Sequence, residues 1–303
     1  MTTTVTISKR GADRALARHQ WIYRSDIANA GGAIGGDVVR VVDQRKHCFG
    51  RAYFSDASQI ALRFVTFEDV ETDREFWRGR LRRAIELRER VVRDTTAYRV
   101  VHGEGDLLSS LIVDRYGDCL SIQTLSQGTD LQKPFWVELL TEAFNPRAIV
   151  ERNDGHVRDL ESLPRISAML AGEPPGEIEV EEHGVRYFAD PVGGQKTGAF
   201  LDQRENRLAT RSYARGRALD CFAFHGSFAL HLAQSCEHVV AVDSSADALA
   251  RAQRNAELNG VAGRIELVEA NAFDHLRALA DAKVQFDTIV LDPPAFAKSK
   301  SAI

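Results

Sequence analysis

Cysteine is scarce in this 303-residue chain: Cys48, Cys119, Cys221 and Cys236 lie far apart and form no C-x-x-C pair. That spacing argues against a disulfide framework and a zinc site, and leaves reduced, mostly buried thiols as the expectation. No metal is expected. Long apolar runs are missing too: no window approaches the run of about 20 residues that a membrane span needs. The opening Met1-Thr2-Thr3-Thr4-Val5-Thr6 has neither the basic start nor the apolar core of a secretory signal. A cytoplasmic protein with no membrane partner is the expectation. A large excess of one charge is also absent, since the net charge is −4. That balance does not advertise a nucleic-acid binder, although what attracts phosphate is a local patch. There is no internal repeat and no low-complexity tract.

What is present begins with short β-like segments. Val38 to Asp43 and Ile60 to Phe64 read as strands, punctuated by Gly31-Gly32 and Gly35-Gly36, and fit a small barrel-like domain. The stretch from Arg74 to Arg93 holds eight arginines (Arg74, Arg78, Arg80, Arg82, Arg83, Arg88, Arg90, Arg93) against Glu75, Glu86 and Glu89. Apolar residues recur in it at helical spacing, so it reads as a basic amphipathic helix. A solvated helix face is the plainer reading for any single arginine. A hairpin around Tyr116-Gly117-Asp118, a helix from Leu131 to Phe144 and a strand at Ala148 to Glu151 follow. Ala171 to Gly176 is the clearest connector. After it, Glu177 to Phe188 alternates as a hairpin turning at His183-Gly184, and a helix is expected to begin near Asp202, as cap, and run through Arg211.

From Arg217 the pattern becomes strand–helix alternation: strands at Ala218–Phe222, Val239–Asp243, Ile265–Glu269 and Asp287–Asp292, helices between them. Such alternation specifies a parallel sheet wrapped by helices, an α/β fold whose ligands bind beyond the carboxyl ends of the strands. Asp220, Asp243 and Asp292 all fall there, and Asp243 is placed to accept from both hydroxyls of a ribose. Gly226 opens the next helix, where a backbone is expected to approach a ligand closely. Spacing alone says a nucleoside-containing cofactor. The GxGxxG turn that cradles a pyrophosphate is absent, which favours S-adenosylmethionine over a nicotinamide dinucleotide. Asp292-Pro293-Pro294 after the fourth strand adds a rigid, extended wall with free carbonyls for a flat base.

Glu181-Glu182-His183-Gly184, then Gly194-Gln195-Lys196-Thr197-Gly198-Ala199-Phe200-Leu201-Asp202-Gln203-Arg204-Glu205-Asn206-Arg207, resemble the signature of the bacterial 23S ribosomal RNA cytosine-5 methyltransferase I family. His19 to Ile27 and Leu111 to Gly117 are similar to its N-terminal and central domains. The resemblance implies a PUA-like RNA-binding domain over 1–72, a central α+β domain over 73–176, and the EEHG hairpin with a Rossmann-like class I methyltransferase domain over 177–303. It implies S-adenosylmethionine as cofactor and ribosomal RNA as partner. Lys196, Thr197, Gly198, Phe200, Asp202, Gln203 and Asn206 would help enclose the cofactor, with Asp220, Phe222, Gly226, Asp243, Ser244, Asn271, Asp292 and Pro293. Asp292 would be the catalytic orienter of the base. Pro294 and Phe296 would meet the base, and Lys298 and Lys300 the RNA phosphates.

Three positions depart from the family pattern. Ser227 replaces a second glycine and is expected to restrict the approach of the methionine part. His225 is expected at a helix start, partly open to the cleft. Asn271 replaces an aspartate and would accept from adenine through its amide oxygen. Four strands are countable where class I sheets have seven, so Ile289, Val290 and Leu291 would form an apolar edge, and a domain continuing past Ile303 is expected. Cytosine carbon 5 is a poor nucleophile, so a thiolate must first add to carbon 6. By the resemblance that cysteine follows the fifth strand. None of the four cysteines here replaces it, and the chain alone is expected to transfer no methyl group. The rivals are methylation of a base amine or guanine nitrogen, and an RNA-binding module with a vestigial methyltransferase half. The sequence leaves open which nucleotide is modified and whether a homodimer forms.

Overall fold

A computed structural model describes residues 2–194 and 197–294. The chain divides into two compact units, Met1–Ile178 with Asp190–Ala199, and Glu179–Ala189 with Phe200–Ile303.

The first unit holds two sheets. One contains β1 (Thr4–Ile7), β2 (Trp21–Tyr23), β3 (Ile27–Asn29), β4 (Val38–Val42), β5 (Cys48–Phe54) and β6 (Ile60–Thr66), in the order β2-β6-β5-β4-β1-β3, with α1 (Lys9–Leu16) between β1 and β2. Alternation in these strands sends Val5, Ile7, Val39, Val41, Leu62 and Phe64 into one core. Next comes α2 (Arg74–Val91), whose N-cap Asp73 accepts from the Phe76 N–H. The second sheet is built from β7 (Ala97–His102), β8 (Leu111–Tyr116), β9 (Cys119–Thr124), β10 (Ala148–Asn153) and β11 (Ile166–Gly172), in the order β11-β10-β9-β8-β7. The stretch between β9 and β10 forms α3 (Gln127–Leu131) and α4 (Lys133–Phe144). Trp77 of α2 stacks on Tyr53 of β5 at 5.8 Å and meets Trp136 of α4 edge-on at 5.3 Å. These rings join the two sheets in one apolar cluster.

The second unit opens with the hairpin β12 (Ile178–Glu182) and β13 (Val185–Ala189), whose turn residues His183 and Gly184 are both left-handed, as a two-residue hairpin turn requires. Next come α5 (Arg204–Tyr213), β14 (Arg217–Cys221), α6 (Ser227–Leu232), β15 (His238–Asp243), α7 (Ala246–Leu258), β16 (Ile265–Glu269), α8 (Ala272–Asp281) and β17 (Thr288–Leu291). The four later strands are parallel in the order β16-β15-β14-β17. Each strand-to-strand connection passes through a helix, as parallel pairing demands. The outermost β17 exposes Ile289 and Leu291, matching the expected apolar edge.

Two of the boundaries that differ from expectation bear on the site. Asp202 does not cap a helix: Leu201–Gln203 form a 3-10 turn, and α5 starts at Arg204. Phe222 lies outside its strand, because its φ of 65° takes the backbone out of the extended region. Among the described residues no helix is long and apolar enough to cross a membrane.

Candidate active site

The turn from β14 to α6 is the most constrained backbone of the second unit. Phe222 (φ 65°), Phe224 (φ 52°) and Gly226 (φ 83°) all lie in the left-handed region within five residues. Non-glycine residues held there are costly and concentrate at functional sites. Asp243, at the end of β15, holds the turn: its Oδ2 accepts from the Phe224 N–H at 2.8 Å and its Oδ1 from the Ser245 N–H at 3.0 Å. Each oxygen keeps acceptor capacity beyond that bond. Asn255, fully buried on α7, secures the other side by donating to the His225 carbonyl at 2.9 Å and accepting from the Phe188 N–H at 3.0 Å.

Gly226 has a packing reason beside the one expected. A Cβ there would lie 3.0 Å from Cβ of Ala252, so its smallness serves the approach of α6 to α7 as well as its positive φ. His225 is corrected. It is buried, with its ring stacked on Tyr187 at 5.3 Å, and burial followed by the Arg207 charge lowers its pKa to about 4. Ser227 opens α6 without a positive φ, so its backbone conformation does not call for the glycine it replaces.

Asp220 is buried one residue before the end of β14. Its Oδ2 has no hydrogen-bond partner among the described residues, although the Ala229 N–H donates to the carboxyl. Burial, followed by the negative charges of Asp292 and Asp243, raises it to about 8 against the relief from Ala229. Three acids therefore converge at the carboxyl ends of β14, β15 and β17, and an orphaned buried oxygen among them fits a cation such as a sulfonium or an ammonium. Asn271 joins the same end of the sheet, where the adjacent Ala270 N–H donates to the Asp243 carbonyl at 3.0 Å. Its Oδ1 caps α8 by accepting from the Phe273 and Asp274 N–H groups, so the oxygen expected to face adenine is already engaged.

Asp292 is tied to the signature segment. Gln203 Nε2 donates to its Oδ2 at 3.0 Å, and Asn206 Nδ2 donates to Gln203 Oε1 at 2.6 Å. Pro293, Pro294, Asp202 and Ser244 are exposed, and Phe200 meets Phe224 edge-on at 5.5 Å.

Sequence reasoning missed what anchors α5. Arg207 is buried and donates through Nε and Nη2 to both oxygens of buried Glu182, at 2.7 and 2.6 Å, and through Nη1 to the Phe200 carbonyl at 3.0 Å. His231 Nε2 lies 3.2 Å from Glu182 Oε1. Burial would raise the Glu182 carboxyl, but Arg207 and then His231 outweigh it and bring it to about 2. The two signature blocks are thus one ion pair. Arginine and glutamate at these positions give no periodicity signal, because each looks like a surface residue.

Thr197 and Gly198 belong to the first unit. Thr197 is buried there, donating to Asp114 Oδ2 at 2.6 Å and lying 3.0 Å from the Tyr116 hydroxyl, so its oxygen is held by protein. Gly198 has φ 143°, and a Cβ on it would meet the Tyr116 ring at 3.1 Å. Lys196, Phe296, Lys298 and Lys300 lie outside the described residues.

A family model described as a PUA-like domain matches residues 5–67, and one described as an S-adenosylmethionine-dependent methyltransferase matches residues 156–303. Ribosomal RNA large subunit methyltransferase I of Cronobacter sakazakii is 37% identical over 311 residues, covering 100% of this chain and 78% of that protein. The protein of the same name from Citrobacter koseri is 36% identical with the same coverage. Among solved structures, one from Streptococcus mutans described as a SAM-dependent methyltransferase superposes with a TM-score of 0.82 at 21% identity, over 97% of this chain and 77% of that one. A methyltransferase structure complexed with SAH gives a TM-score of 0.85 at 21% identity, over 100% and 79%. These two share the fold: an α/β methyltransferase sheet with a PUA-like domain at the N-terminus. By sequence, this chain belongs to the ribosomal RNA large subunit methyltransferase I family, and its cofactor is S-adenosylmethionine.

Proposed function

We propose that the reaction this chain is built for is methylation of carbon 5 of a cytosine in large-subunit ribosomal RNA. The observation that carries the reading is the convergence of Asp220, Asp243 and Asp292 at one end of the parallel sheet, with Gln203 holding Asp292. Asp243 would accept from the ribose hydroxyls with the acceptor capacity its two backbone partners leave. Asp220, neutral while buried alone, would ionise beside a cation and offer its unpartnered oxygen. The cofactor supplies an electrophilic methyl group on a sulfonium.

Asp292 and the two prolines would receive the base, with Gln203 fixing the carboxylate that orients the base's ring nitrogen and amino group. Attack at carbon 5 requires a thiolate on carbon 6. None of the four cysteines supplies it. Cys119 and Cys221 are buried, with thiols raised to about 11 by burial; Cys236 is buried and raised as well, and Cys48 sits on β5 in the other unit. These 303 residues would bind cofactor and transfer no methyl group to carbon 5.

The test is incubation of large-subunit RNA with methyl-labelled cofactor and base-resolved analysis of the product, with the 303 residues alone and with a family member carrying the cysteine. The reading expects label on cytosine carbon 5 from the second only. Label on an exocyclic amine or a guanine nitrogen would replace it.

A further inference from the structure

Eight arginines stand between Arg74 and Arg93, and the structure sorts them. Arg74 and Arg78 pair with Glu142 of α4, Arg88 pairs with Asp106, and Arg82 lies 3.8 Å from Glu86. Arg80 and Arg83 have no ion pair or hydrogen bond among the described residues. With Phe76 and Gly79 they occupy one face of α2, at the three- and four-residue spacing that aligns side chains. That face borders a cavity of about 590 Å³ in the first unit, whose lining also includes Arg18 and Phe67.

The cavity holds its cations in a particular way. The Arg80 guanidinium lies over the Phe76 ring, 5.2 Å from its centre, and the Arg18 guanidinium over that of Phe67 at 5.3 Å, so each is held at an aromatic face. Burial, followed by the neighbouring Arg83 charge, lowers the pKa of Arg80. Like charges held together at a partly buried wall are stabilised by an anion. The rim also carries Glu68, Glu71 and Glu75. Glu71 lies 3.5 Å from Arg51 and Glu75 2.6 Å from Arg78, leaving Glu68 as the acid that acts on Arg80.

Gly79 is an independent observation. It stands in the middle of an 18-residue helix. Glycine there costs about 1 kcal/mol against alanine. A Cβ at Gly79 would meet no protein atom within 4 Å, so packing does not require the glycine. Its smallness leaves the cavity wall open.

We infer that this cavity, between the first sheet and α2, is a binding site for an RNA backbone phosphate, held by Arg80 and Arg83 with Arg18 in the same lining. The inference rests on the reading of the substrate as RNA and adds a second contact point for it, remote in sequence from the methyltransferase fold. Guanidinium groups already held beside aromatic rings suit a nucleic acid, since bases stack on rings and guanidinium planes while the phosphate takes the N–H donors.

The experiment is fluorescence-anisotropy titration of the full 303-residue chain with a labelled single-stranded RNA oligonucleotide at several salt concentrations. R80Q/R83Q should weaken binding about tenfold and make the slope of log affinity against log salt shallower by about 0.7, the value for the one phosphate no longer neutralised. R277Q/K283Q, which removes the same charge in the other unit, should leave both quantities near wild type. G79A should bind RNA several-fold more weakly while its Tm stays level or rises, which separates occlusion of the cavity from unfolding. Wild-type binding that persists unchanged in R80Q/R83Q and G79A overturns this site and leaves the RNA substrate standing. A wild-type chain that binds no RNA overturns both. Binding competed away by millimolar inorganic phosphate with no salt-slope change in the variants would assign a small-anion site and overturn the RNA contact.

Discussion

Gln203 and Asp292, 89 residues apart, are joined by a 3.0 Å hydrogen bond from the Gln203 amide to the Asp292 carboxylate. The bond ties the turn before α5 to the residue that follows β17. It also fixes which way the Asp292 carboxylate faces, because the Gln203 carbonyl is itself held by Asn206. Replacing Gln203 by alanine should weaken cofactor binding about tenfold, the value of roughly one hydrogen bond to a charged group. The Tm should stay within about 2 °C of wild type, because the pair is exposed. Calorimetric titration beside a thermal melt checks both.

Asp243 has a heavier task, since its two oxygens hold the Phe224 and Ser245 N–H groups. Asp243→Ala should abolish measurable cofactor binding and destabilise the second unit by about 1–3 kcal/mol, because two backbone donors lose their acceptor. Asp243→Asn should do nearly as much harm, as one oxygen becomes an amide that faces a donor. Urea unfolding followed with the binding assay would show whether the two losses come together.

Asp220 predicts a pH dependence of unusual sign. Its carboxyl is held at about 8 in the fold, against about 3.9 in an open chain. The folded state binds the extra proton between those values, so the contribution of Asp220 to stability falls as pH rises from about 4 to about 8. Asp220→Asn should remove that slope. A cation bound beside Asp220 favours its ionised form, so cofactor binding at pH 7 should release a proton. Calorimetry in two buffers of different ionisation enthalpy reads the proton, and the release should vanish in Asp220→Asn.

The Glu182–Arg207 pair carries the opposite sign. With the Glu182 carboxyl brought to about 2, its stabilisation is complete above about pH 4.5 and is lost as pH falls through 2. Glu182→Gln should cost about 3–5 kcal/mol at pH 7, because it leaves the Arg207 guanidinium buried without its partner. Replacing both residues by apolar ones of similar volume should recover much of that loss. Chemical denaturation of the single and double variants measures it.

Much of this is legible in the residue order. Alternation of strand and helix after Arg217 gives the parallel sheet, because the period of apolar residues changes with the element that carries them. The same pattern puts Asp220, Asp243 and Asp292 at strand ends, where the structure brings them together. Other features are not legible. The left-handed Phe222 and Phe224 carry no sequence mark, since phenylalanine is an improbable choice for positive φ, and their turn is fixed by bonds from Ala223 to Val242, from Phe224 to Asp243 and from Asn255 to His225. Gly226 reads as a ligand contact, and its closeness to Ala252 is a further reason for glycine that the residue order does not show. Thr197 reads as a cofactor contact, yet its hydroxyl is held by Asp114 and Tyr116. A residue type gives a capacity for bonds, and only the fold decides which partner takes it.

The cofactor, on this reading, lies across the carboxyl ends of β14, β15 and β17. Calorimetric titration of S-adenosylmethionine into the wild-type chain and into Asp243→Ala tests that placement most directly. Saturable one-to-one binding is predicted for the wild type and none for the variant. Equal binding by the two proteins would contradict it.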